Sequence, residues 1–121
     1  MTTSNLNTER DIYKISHKLA VEIHKMTLNL PSFEMYEEGS QIRKSSKGIP
    51  ANIVEGFGRK KYQQDYLRFL IIAHASCNET KEHLEILYET GSLKEKKEFE
   101  YFCNEYDTLG RKLNKFIQAF D

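Results

Sequence analysis

Residues 41–59 read QIRKSSKGIPANIVEGFGR, and the period of this stretch decides the fold class. Ile42, Ser46, Ile49, Ile53 and Phe57 recur at steps of three and four, within about one 100° stripe at ~3.6 residues per turn. That spacing predicts a helix with one buried face. Pro50 sits inside it, and its missing N–H and ring are expected to kink the axis, with Gly48 absorbing the distortion. Gly56 and Gly58 are expected to end the helix by supplying a left-handed residue.

Working outward, the same period places three more helices. Residues 8–30 carry Ile12, Ile15, Leu19, Ile23, Met26 and Leu30 on one stripe, stopped by Pro31. The central helix extends over 36–57, the next spans 63–89 with Gly91 past its end, and the last spans 93–120. In the last, Phe99, Phe102, Tyr106, Leu109, Leu113, Phe116 and Phe120 form an unbroken three-four seam suited to near-parallel packing. Short connections favour antiparallel neighbours. The expected fold is therefore all-α, an antiparallel up-down-up-down four-helix bundle forming one domain over residues 1–121.

Composition agrees with a single domain. The 121 residues include 30% charged side chains, 2 prolines and no tryptophan, which suits a helical protein with a modest core. Net charge is +0, so no global pull toward nucleic acid or membrane is expected. The most apolar window, 66–77, is too short to span a bilayer and contains Arg68 and His74. No basic-then-apolar leader is visible in MTTSNLNTER, so a cytoplasmic location is expected, with Cys77 and Cys103 reduced and acting as small buried hydrophobes.

Signals of catalysis are weak throughout. There is no nucleophile elbow, P-loop or dinucleotide fingerprint. GFGRKK has glycines and cations but no preceding strand, and reads as a helix C-terminus whose cations favour the dipole. Helical bundles that hold metals use Glu-x-x-His pairs, and no Glu lies three residues before any histidine here. Glu79 and His83 stand one turn apart in a charged stretch, as a solvated pair; His17 and His24 are roughly 10 Å apart along a helix, too far to share one ion. Asn52 and Glu55 are assigned structural roles, with Asn52 bonding to backbone loosened by Pro50. No enzyme activity, cofactor, metal or small-molecule substrate is expected.

Two surface features exceed what a lone bundle needs. Leu67, Ile71, Ile72 and Ala75 lie off the core stripe of the 63–89 helix, formed by Tyr66, Phe69, Leu70, Ala73, Cys77, Leu84, Leu87 and Tyr88. An all-round apolar helix is buried all round, so these residues are expected to meet another subunit. Tyr13 and His17, with Ala20 and His24, form a second stripe on the first helix, either half-exposed or a subunit contact. The other feature is basic: Arg43, Lys44, Lys47, Arg59, Lys60 and Lys61 cluster in an otherwise neutral chain. Six cations on one module suit phosphate contacts of low sequence selectivity, while a solvated polar face with ion pairs between subunits to the acidic surfaces of the last two helices is the competing explanation.

IPANIVEGFGR at 49–59 also carries a likeness, joined by KLAVEIHK, by LPSFEMYEEGSQIRKSS and by YLRFLIIAHASCNETKEHLEIL. With these runs the chain resembles the ribosomal-RNA intervening-sequence proteins, also called four helix bundle proteins, over nearly its whole length. It departs at Tyr13, where that family usually has Trp, and at EEGSQI, where a Tyr-Gly-Leu turn is more usual. The resemblance implies a ring of five subunits and a distant likeness to accessory proteins of diversity-generating retroelements, and brings no enzymatic activity with it. The expected function is a non-enzymatic homo-oligomeric accessory protein binding RNA or DNA through the basic face. The alternative is a structural oligomer that scaffolds a protein partner.

Overall fold

The computed structural model describes residues 3–120. These are all-α: α1 (Thr3–Thr27), α2 (Ser32–Tyr36), α3 (Glu38–Phe57), α4 (Gln63–Glu89) and α5 (Lys96–Gln118), with no strand among the described residues. The bounds of α4 match expectation; the others shift. α1 ends at Thr27, three residues before Leu30, which is buried from a turn instead of from a helix. The helix expected over 36–57 begins at Glu38, and an unexpected short helix, α2, precedes it across a break at Glu37 (φ −99°, ψ −99°).

That break has a local cause. A Cβ on Gly39 would stand 2.9 Å from the Glu34 carbonyl oxygen, so the tight corner between α2 and α3 requires glycine. Glu34, itself buried, holds the corner: its carboxylate accepts the Glu38 N–H at 3.2 Å and the Ser92 hydroxyl at 2.6 Å. A polar side chain deep in the fold is tolerated because its acceptors are filled.

The four long helices pack as α1 on α3, α3 on α4, α4 on α5, and α5 on α1. Contacts fix the direction of each pair. Gly56 faces Tyr66 while Gly48 faces Ser76, so α3 and α4 run oppositely. Tyr66 meets Phe116 and Phe120, and Tyr88 stacks on Phe99 at 4.1 Å, so α4 and α5 do too. Glu9 reaches Lys60 beyond the far end of α3 and Thr27 reaches Arg43 near its start, and Asp11 pairs with Lys112 while Glu22 meets Tyr101. The α5 seam is inside as expected: Phe102, Tyr106, Leu109, Leu113 and Phe116 are buried, with Phe99 and Phe120 packed against them.

α3 runs unbroken through Pro50, and Asn52 donates its Nδ2–H to the Gly48 carbonyl at 2.7 Å, a backbone bond, though not to the Ser46 carbonyl that Pro50's missing N–H leaves open. The expectation for the glycines is corrected. Gly58 is right-handed (φ −66°), and Gly91 alone among the described residues has positive φ, at 82°, where it turns the chain after α4 and lets the Leu93 N–H reach the Leu87 carbonyl. Gly56 is there for closeness, since a Cβ would lie 3.3 Å from the Tyr66 backbone oxygen.

Candidate interaction surfaces

The six clustered cations do not form one free patch. Arg43 is half-buried, donating to the Thr27 hydroxyl and to the Met35 carbonyl, both at 2.9 Å, so it ties the end of α1 to α2. Arg59 donates to the Glu55 carbonyl at 2.9 Å and to its carboxylate at 2.7 Å, and lies 4.6 Å over the Phe69 ring. This is a cation on the open carbonyls of a helix end, as the GFGRKK reading expected. Lys60 pairs with Glu9 at 2.8 Å. Lys44, Lys47 and Lys61 are exposed and have no acidic partner among the described residues.

Below α3's last turn lies a buried polar knot that periodicity did not suggest. Glu9 is only 3% exposed, accepts a bond from the Tyr66 hydroxyl and pairs with Lys60. Burial and the bond to Glu9 hold the Tyr66 hydroxyl well above the usual tyrosine range. With its donor fixed and its ring packed against Phe57 and Phe120, Tyr66 anchors the bundle end.

His83 is drawn across the helices. Its Nδ1 lies 2.6 Å from Glu38 and its Nε2 3.4 Å from Glu79, so the pair read as solvated is half of a bridge between α3 and α4. Among the described residues no group of three or more His, Cys, Asp or Glu is arranged to hold a metal, and no helix is long and apolar enough to cross a membrane. Cys77 is buried and Cys103 half-buried, and burial pushes both thiols up to about 11.

Besides Leu28, Phe33, Tyr36 and Tyr62, which are exposed at the connections, two apolar surfaces are open on the long helices. One is convex: Leu67, Ile71, Ile72 and Ala75 project from α4 away from the core, Ile71 at 50% and Ile72 at 41% exposed. The other is a groove of about 680 Å³ between α1 and α3. Tyr13, His17, Val21, Pro50, Ala51 and Val54 line it, with Lys25 and Lys47 toward one end. Tyr13 and His17 stand side by side there, ring centroids 5.6 Å apart. Val21 and Lys25 were not singled out by sequence, although they extend the Tyr13–His17 stripe by steps of four.

The sequence model of the 23S rRNA-intervening sequence protein family matches residues 8–115. The chain belongs to this family. Its fold is similar to the crystal structure of a protein of unknown function from the S23 ribosomal protein family of Bacteroides thetaiotaomicron. The two share 25% identity over 92% of this chain and 98% of that one, with a TM-score of 0.79. No curated protein matches the chain. The family match spans every surface residue described above, from Tyr13 to Ala75, together with the Glu9 knot.

Proposed function

We propose that this family member is a non-enzymatic, self-assembling accessory protein. In this reading the four long helices make an up-down-up-down bundle, with α2 elaborating the first connection, and copies close into a ring, of five by the family resemblance. One observation carries the reading: the outer face of α4 exposes apolar side chains, Ile71 and Ile72 above all, that no described residue covers. Patches of this kind on a soluble helix mark subunit contacts. Sedimentation velocity at micromolar concentration and physiological salt tests it. A single closed oligomer supports the reading, and a monomer removes it.

A second reading is favoured by the unpaired Lys44 and Lys61, which lie outside the α1/α3 groove, and by the family's named association with a 23S rRNA intervening sequence. The assembled protein binds RNA through these cations, multiplied by the ring so that weak contacts add. Phosphate contacts of this type are weakly selective for sequence and weaken steeply with salt. Purified protein then carries nucleic acid, seen as a raised 260/280 ratio that nuclease removes, and Lys44→Glu with Lys61→Glu abolishes it. If an intact oligomer retains no RNA or DNA at low salt, the alternative of a scaffold for a protein partner takes its place.

A further inference from the structure

The two open apolar surfaces differ in shape and sit on different sides of the molecule. We infer that they are partners: the α4 ridge of one copy seats in the α1/α3 groove of the next. This rests on the self-assembly reading and names the surfaces that mate.

The charge pattern along both surfaces supports the pairing. On α4, residues Leu67, Ile71 and Ala75 share a stripe with Glu82, Glu85 and Glu89, within about 80° of one another at ~100° per residue. The ridge is apolar in its first half and acidic in its second. The groove has the matching order: Tyr13, His17 and Val54 at the end near Glu9, Lys25 and Lys47 toward the other. Neither lysine has an acidic partner within the chain, and neither has Glu82 or Glu85 a basic one, among the described residues.

The heights agree as well. α1 and α4 both oppose α3, so they run the same way. Glu9 on α1 meets Tyr66 on α4, a sequence separation of 57. At the same rise per residue, that offset carries Lys25 to the height of Glu82 and Tyr13 to the height of Leu70, beside Ile71. In a ring generated by rotation alone, with the bundle running parallel to the ring axis, there is no shift along that axis and groups at equal height face each other. Ridge and groove then meet apolar to apolar and cation to carboxylate at once. Because the contact joins two different patches, it is heterologous and propagates around a ring instead of stopping at a two-fold dimer.

Cysteine pairing tests this directly. In a Cys77→Ala/Cys103→Ser background, Val54→Cys and Ile71→Cys are placed on separate chains, mixed and oxidised. The expected result is a disulfide-linked dimer from the mixture and almost none from either variant alone. A companion test keeps the native cysteines: Lys25→Glu and Glu82→Lys each shift the oligomer toward monomer at least tenfold, and the two together restore it, with helicity unchanged by circular dichroism. Self-linking of the Ile71→Cys chain within an intact oligomer, or an oligomer indifferent to both charge reversals, overturns the pairing while leaving self-assembly standing. A wild-type monomer overturns both.

Discussion

Gly48 and Gly56 both turn toward α4 but meet different neighbours there. A Cβ at 48 would find the Ser76 hydroxyl at 3.5 Å, an ordinary contact, whereas at 56 it would press on the Tyr66 backbone oxygen and ring carbon at 3.3 Å. Gly48→Ala is therefore expected to stabilise by about 0.5–1 kcal/mol through helix propensity. Gly56→Ala is expected to cost about 1 kcal/mol or more, because a backbone oxygen in a packed helix pair does not swing aside. Urea midpoints of the two variants check the opposite signs. The thiols offer a second test at this scale. With both raised to about 11 by burial, the thiolate at pH 8 is only about a thousandth of the total. Iodoacetamide should then label native protein on the order of a hundredfold more slowly than urea-unfolded protein. Cys103 labelling should rise as pH climbs toward 11, and Cys77 should react only on opening. The sign for stability follows: a thiol held above its unfolded value stabilises the fold below about pH 9 and loses that contribution as pH rises toward 11.

Among elements, α4 was legible in the sequence from end to end, because a polar turn precedes it and Gly91, the left-handed residue, follows it. The α5 seam was equally plain, and Leu113 is its most diagnostic position, with no exposure at all. Leu113→Asp should unfold the protein, since an unpaired charge buried there costs several kcal/mol; loss of the helical dichroism signal at 25 °C is the readout. The first half of the chain was read less well. Leu30 prolonged the apolar period past the end of α1, and burial alone does not distinguish a turn from a helix. The break at Glu37 has a local part, the close approach of Gly39 to the Glu34 carbonyl, and a distant part, Glu34 reaching Ser92 58 positions away, which no local pattern encodes. Arg43 shows the same limit: by period it belongs with Lys44 and Lys47, yet its partners are Thr27 and the Met35 carbonyl. Arg43→Met should lower stability by about 1–3 kcal/mol by leaving that carbonyl unmet, and leave any retention of RNA unchanged.

At the scale of the whole molecule, the sequence marked which residues were surplus to one bundle but could not show the hollow between α1 and α3. Leu67, Ile71, Ile72 and Ala75 stood out because they break the polar face of an amphipathic helix. The groove escaped notice because its walls come from α1 and α3, whose separation along the chain hides that Val21 and Val54 line one space. This division makes Ile72→Glu the informative variant. The side chain is 41% exposed in a single copy, so a carboxylate there stays solvated in the monomer and has no core to disturb. In an assembled ring the same carboxylate would be stripped of water beside apolar neighbours, an unpaired charge costing several kcal/mol per contact. Sedimentation velocity should therefore show the wild-type oligomer falling to monomer in Ile72→Glu, while circular dichroism and the melting transition of the separated chain stay close to those of a folded bundle. An Ile72→Glu protein that keeps its oligomeric mass would mean that this side of α4 faces water in the assembly, and would remove Ile72 from the contact.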